Sequence, residues 1–305
     1  MRLPKRSVVL LLPLAWGCAR RETPGPAAAP ANPERVSVTG GFSTPESVLW
    51  DAGQSVWFVS NINGSPVARD GNGFISRLDR DGAVANLHWV QGGQNGVTLN
   101  GPKGLALTGD TLWVADIDAV RGFDRRTGAP VAGIEFGSQA RFLNDVAAGP
   151  DGTLYVTDTG IAFAADGSMS HPGPDRVFAV SGRNVRIALE GAWLEGPNGI
   201  TWDAGSKRFV VVPFAGKALF GWSPGATTID TVGTGPGGQD GVEMLGGEMY
   251  VTSWADSSLF AVGPGGNRRI AGGLNAPADI GLDPTRDYVA VPRFMENQVE
   301  VWRVR

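Results

Sequence analysis

The sequence predicts an all-β chain folded as a six-bladed β-propeller, with four-stranded antiparallel blades and an N-terminal strand that closes the last one. Three observations predict it: the composition, a motif that recurs six times, and a strand missing from the last repeat. Among 305 residues there are 45 glycines and 21 prolines, yet 42% are apolar. That is too apolar for disorder and points to many short strands joined by turns. No long stretch carries the 3.6-residue apolar rhythm of a helix.

The motif is a turn, a short apolar strand, a Gly/Asp-rich hairpin, and a second strand ending in a polar residue or proline. It covers Thr44–Asn61, Gly101–Asp116, Phe142–Asp158, Gly196–Pro213, Gly238–Ser253 and Ala276–Pro292. Two further strands fill each interval, such as Gly73–Arg80 and Val84–Gln91 after the first copy. Four antiparallel strands recurring every 40–55 residues or so are the signature of a propeller blade. After the last copy the chain has room for only three strands in that blade. The fourth is "RVSVTGG" (Arg35–Gly41), which is similar to the blade-ending "RRIAGG" (Arg268–Gly273). Sharing a blade between the two ends closes the ring and leaves it no open edge. Trp50, Trp57, Trp113, Trp202, Trp222 and Trp302 fall inside strands and are assigned to packing between blades.

Ahead of the propeller (34–305), residues 1–17 read as an export signal. Arg2, Lys5 and Arg6 form its charged start and Val8–Leu14 its apolar core, too short to span a bilayer. Cys18, the single cysteine, stands where bacterial lipoproteins are lipidated, and residues 18–33 make a Pro/Ala-rich tether. The expected location is the bacterial cell envelope, with membrane attachment through the lipid alone. One cysteine also means no disulfide within the chain, so the folded part depends on packing. A formal charge of −4 and no basic run beyond the first residues argue against nucleic acid as a partner.

With the six copies in register, the residue just before each innermost strand is Glu46, Lys103, Asn144, Asn198, Asp240 and Ala278 in turn. Innermost strands line a propeller's axis, so these side chains form a ring at one mouth of the tunnel. Two carboxylates and two amide oxygens facing one point suit a hard cation, Ca2+ first and another divalent ion second. Softer metals are disfavoured, since no cysteine is available and neither histidine joins the ring.

Glu46 in "PESVLWD", Asn144 in "LNDVAAGPDG", Asn198 in "PNGITWD" and Asp240 in "DGVEM" resemble the Glu–Asn–Asn–Asp pattern of the senescence-marker-protein/gluconolactonase group. Paraoxonases and diisopropyl fluorophosphatase share that architecture. The resemblance spans residues 35–305 and implies a calcium-centred hydrolase acting on lactones or related esters, with Glu46, Asn144, Asn198 and Asp240 as metal ligands. Two features depart from it. The histidine pair that paraoxonases place near the metal has no assigned counterpart, and Lys103 holds the blade-two ring position. That lysine is expected to pair with Asp145 or Asp279, to lean off the axis, or to hold a substrate carboxylate.

If the chain is an enzyme, the candidate bases are Asp145, beside a ligand, and Asp240, itself a ligand. Candidate substrate contacts are Lys103, His171, Asp116, Asp158, Trp254 and Arg293. His171 belongs to the long link Gly160–Asp175, which is expected to lie on the ring's face as a lid because strand directions alternate. Asp116 and Asp158 also fit simple strand-end turn capping. The other function class is a non-catalytic propeller that binds a ligand or partner, with a structural metal or none. Bound metal without turnover would favour that class.

Overall fold

The computed structural model describes residues 32–164 and 166–305. The export signal, Cys18 and most of the tether lie outside the described residues. Six four-stranded antiparallel sheets form the propeller, and the first five run outward from the axis in chain order. Blade one comprises Pro45–Asp51, Val56–Asn61, Phe74–Leu78 and Val84–Gln91. Blade six comprises Gly281–Asp283, Tyr288–Arg293, Gln298–Arg303 and, as its outermost strand, Glu34–Gly40. The N-terminal strand pairs Arg35 with Trp302 and Gly40 with Gln298, so the last blade is completed from the chain's other end.

Apolar side chains occupy the seams between blades. Phe58 and Ile75 of blade one pack with Leu105, Val114 and Phe123 of blade two. Equivalent clusters fill the next four seams. The sixth joins Trp57, Val59 and Leu78 to Ala290, Val299 and Val301, closing blade six on blade one. Trp57 and Trp222 are buried outright, while Trp50, Trp113, Trp202 and Trp302 cover the margins of these clusters. The expected inter-blade role of the tryptophans holds. Burial of this kind stabilises by about 25 cal/mol per Å2 of apolar surface, and it is the main force holding the wheel.

The aspartates of the strand hairpins are structural. Asp51, Asp151, Asp203 and Asp283 each accept a backbone N–H two residues on, from Gly53, Thr153, Gly205 and Thr285. These Asx turns fix the hairpins opposite the ring.

One irregularity positions the site. Ala278 precedes its innermost strand, as the sequence suggested, but the other five ring residues sit inside theirs. In the first five blades one ladder pair forms, as between Pro45 and Asn61, and a bulge then interrupts the register before Val48, Leu105, Val146, Ile200 or Val242. A bulge re-aims the side chain it displaces, and here it turns Glu46, Lys103, Asn144, Asn198 and Asp240 out of the ladder. In blades two, four and five the following residue is a glycine with no room for a side chain. A Cβ at Gly199 would come within 2.4 Å of the Asp240 carbonyl oxygen, and one at Gly241 within 2.6 Å of Asp279 Cα.

The bulges free backbone groups that buried hydroxyls satisfy. Thr157 Oγ1 accepts the Asp145 N–H at 2.9 Å and donates to the Asn198 carbonyl at 2.6 Å, linking blades three and four. Thr252 does the same between Gly241 and Ala278. Replacing Thr157 by valine keeps the shape and strands two buried backbone groups, at about 1–3 kcal/mol each. We expect Thr157→Val to lower unfolding stability by about 2–4 kcal/mol in urea titrations, with Thr153→Val, on an exposed hairpin, near neutral.

Candidate functional site

Glu46, Lys103, Asn144, Asn198 and Asp240 all line one cavity of about 430 Å3 at the mouth of the tunnel. Five ring residues that are far apart in sequence are thereby brought to a common floor. Ala278, the sixth, is buried and supplies no ligand atom.

The two ring carboxyls are buried, and one oxygen of each, Glu46 Oε2 and Asp240 Oδ1, has no hydrogen-bond partner. Burial pushes both carboxyls well above the ordinary range. For Glu46 the next contribution is the charge of Asp240, with Lys103 pulling it back. For Asp240 it is Asp279, opposed by the Trp254 indole and the Asn198 amide. Asn144 Nδ2 donates to Thr159 Oγ1 at 3.0 Å, which leaves its Oδ1 for the cavity. Thr159 is itself tied to the Pro197 carbonyl, so one hydroxyl holds Asn144 against blade four. Orphaned carboxylate oxygens beside pinned amide oxygens fit a hard divalent cation and fit no softer metal.

Lys103 does lean aside. Its Nζ donates to the Gly101 carbonyl at 3.0 Å and lies 4.4 Å from the centre of the Phe142 ring. It pairs with neither Asp145 nor Asp279. Those two are occupied one level down, in the tunnel. Asp145 accepts the Ile200 and Val146 N–H groups at 2.7 Å each. Asp279 accepts the Ser47 hydroxyl and the Ile280 N–H. Asp145 therefore faces the tunnel rather than the cavity.

The remaining candidates divide. Trp254 lines the cavity, between Phe214 and Phe294, with ring centres 5.7 and 5.5 Å away. Asp116 accepts the Asn100 and Gly101 N–H groups, and Asp158 those of Arg141 and Phe142. Both fasten the loop that leads into a ring residue, which is the capping role, and neither lines the cavity. Arg293 is bound to Glu300 and Glu296. His171 Nε2 bonds Asp175 Oδ1 at 2.6 Å, and Asp175 holds the Gly196 N–H at 2.8 Å. His171 thus anchors the link without lining the cavity. The link forms a small hairpin, Ala162–Phe163 with Met169–Ser170, and places Ile161, Phe163 and Met169 in the cavity wall.

Sequence reading missed the apolar wall: Ile62, Phe142, Phe163, Phe214 and Phe294. It also missed the threonine that orients Asn144. Ile62, Thr159, Phe214 and Phe294 each stand one residue beyond their blade's second strand, and that repeat is the signal that could have found them.

No protein-family model matches the sequence, and no curated protein matches it. Solved structures share its fold. A protein called a "putative gluconolactonase" superposes with a TM-score of 0.62 at 17% identity, covering 91% of this chain and 92% of that one. A streptogramin B lyase does so with a TM-score of 0.60 at 11% identity, covering 90% and 97%. A nidogen/laminin complex gives 0.55 at 20% identity over 72% and 75%. At these identities the likeness is one of fold. The class defined is a six-bladed propeller with a ring of buried carboxyl and amide side chains, and one lysine, at the floor of an apolar cavity.

Proposed function

We propose that the protein is a calcium-dependent hydrolase of lactones or related esters. The observation that carries this reading is the pair of buried, unpartnered oxygens, Glu46 Oε2 and Asp240 Oδ1, on the floor of an apolar cavity. Two buried carboxyls with unpartnered oxygens have little structural value, whereas a divalent ion would balance the charge of both. Glu46, Asn144, Asn198 and Asp240 would hold it, and when bound it would supply Lewis-acid polarisation of a carbonyl oxygen. Thr159 keeps Asn144 in register for that task. Asp240 is the group placed to take a proton from an attacking water, since Asp145 is engaged by two backbone amides below the floor. The apolar wall and the hairpin at Phe163 and Met169 limit water around the reacting ester. The name gluconolactonase on one fold neighbour agrees with this reading. By the same proposal, export and a lipid on Cys18 would place the enzyme at the cell envelope.

One observation favours the alternative, a non-catalytic binder: among the described residues no histidine lines the cavity. A panel of lactones and aryl esters, assayed with and without chelator in isotope-labelled water, separates the two. The expected result is chelator-sensitive turnover with label in the carboxylate product. Calcium bound with no turnover across the panel would establish the binder, and an unlabelled, unsaturated product would indicate elimination instead.

A further inference from the structure

We propose that Lys103 and the aromatic wall together select a ligand with an apolar body and a single negatively charged group, held by the Lys103 ammonium. Lys103 is 1% exposed, lines the cavity, and makes no ion pair with any described residue. Its three N–H donors meet one oxygen, the Gly101 carbonyl, and one ring face, that of Phe142. An ammonium taken out of water costs several kcal/mol unless a partner offsets it. Packing alone would be served at lower cost by methionine, so the missing partner points to a ligand. Charge balance agrees. Glu46 is the carboxylate whose charge most favours the Lys103 ammonium; a divalent ion held by Glu46 and Asp240 would neutralise both and would leave Lys103 without that support in an apolar chamber.

The walls define the rest of the ligand. Ile62, Phe142, Phe163, Phe214, Trp254 and Phe294 surround the space above the ring. Beyond the ring, the hydroxyl in the lining is that of Thr159, already bonded to Asn144 and Pro197. The hydroxyls of a sugar lactone would find few partners here, and leaving them unpaired is costly. An aryl or alkyl chain fits a cavity of about 430 Å3 lined this way. The substrate class is then a hydrophobic ester or lactone bearing one carboxylate, not an aldonolactone. This rests on the hydrolase reading for the reaction, but not for binding.

The test is therefore a binding measurement. Calorimetry on the purified, calcium-loaded protein would compare 4-phenylbutyrate, its neutral amide 4-phenylbutanamide, and gluconate. The acid is expected to bind about ten- to a hundredfold more tightly than the amide, the range of a charge-assisted hydrogen bond, with gluconate weakest. Lys103→Met should erase the acid's advantage and leave amide binding unchanged. If that variant fails to fold, Lys103→Gln gives the same reading. Equal binding of acid and amide would overturn the proposal. So would an acid preference that survives in Lys103→Met, because the carboxylate would then sit on the cation ring, and so would gluconate as the tightest ligand. Absence of turnover in the ester assays would sink the hydrolase reading while leaving these binding outcomes intact.

Discussion

Calcium should raise the melting temperature of this protein, and Asp240→Asn should abolish the rise. In the metal-free state Glu46 and Asp240 are both buried, and burial above all holds each over its ordinary pKa, followed by the charge of Asp240 for Glu46 and of Asp279 for Asp240. A ligand that binds only the folded state stabilises it by about 2.7 kcal/mol at a hundred times its Kd. For a chain of this size that is a shift of roughly 5–10 °C. Asp240→Asn removes one of two full charges, and we expect calcium affinity to fall by at least about a hundredfold, a loss of some 2.7 kcal/mol. Glu46→Gln should behave likewise. Both variants should be no less stable than the parent without calcium, because each replaces a costly buried carboxyl by a neutral amide. Differential scanning fluorimetry over a calcium series checks all of this. A variant that unfolds earlier than the metal-free parent and still shows the full calcium shift would contradict it.

The second large effect is with pH. Five carboxyls cluster along the axis: Glu46, Asp240, Asp145, Glu243 and Asp279. Burial raises the first three well above the ordinary range. It lifts Glu243 to about 8 and Asp279 to about 7, with Asp279's charge adding to the shift of Glu243. In the unfolded chain these groups lose their protons near pH 4, whereas in the metal-free folded protein Asp279 keeps its proton until about pH 7, Glu243 until about pH 8, and the other three well beyond the ordinary carboxylate range. Between those limits the unfolded state binds fewer protons, so stability must fall as pH rises, by up to about 1.4 kcal/mol per group per pH unit. Water reaches the half-buried Glu243 from the tunnel, so its share is smaller than a sealed site would give. Lys103, lowered by burial, has the opposite slope at higher pH. The expected outcome in urea unfolding is a metal-free protein several kcal/mol more stable at pH 5 than at pH 8. Calcium should flatten the profile by keeping Glu46 and Asp240 ionised at both values. Glu243→Gln should gain about 1–2 kcal/mol at pH 8 and nothing at pH 5. A metal-free stability that is flat or rising over this range would refute the assigned shifts.

The wheel and its floor were legible in sequence for a common reason: both repeat. Six copies of one hairpin fix the number of blades. The shortfall after Arg286 requires the strand that begins at Glu34, and it is found paired with Gln298–Arg303. Alignment of the copies brings Glu46, Asn144, Asn198 and Asp240 into one column, which the fold turns into one ring. What repetition did not carry was harder to read. The bulge at each ring position is a register shift, and its local mark is only a small residue such as Gly104 or Gly199 after the ring residue. The hydroxyl of Thr157 reads as an ordinary strand threonine until the Asp145 N–H that needs it is in view. Asp116 and Asp158 have the composition of site residues, and only their backbone partners reveal them as fasteners. Of the cavity wall, Phe163 lies in the long link Gly160–Asp175 and shares no column with the other blades, whereas Ile62, Phe214 and Phe294 each follow directly on their blade's second strand.

Crystals of the protein soaked in calcium, examined by anomalous scattering, give the most direct measurement. One calcium ion per ring is expected, bound by Glu46 Oε2, Asp240 Oδ1 and the side-chain oxygens of Asn144 and Asn198, with Lys103 still resting on the Phe142 ring. A ring free of metal at saturating calcium, with the Lys103 ammonium drawn in between Glu46 and Asp240, would contradict it.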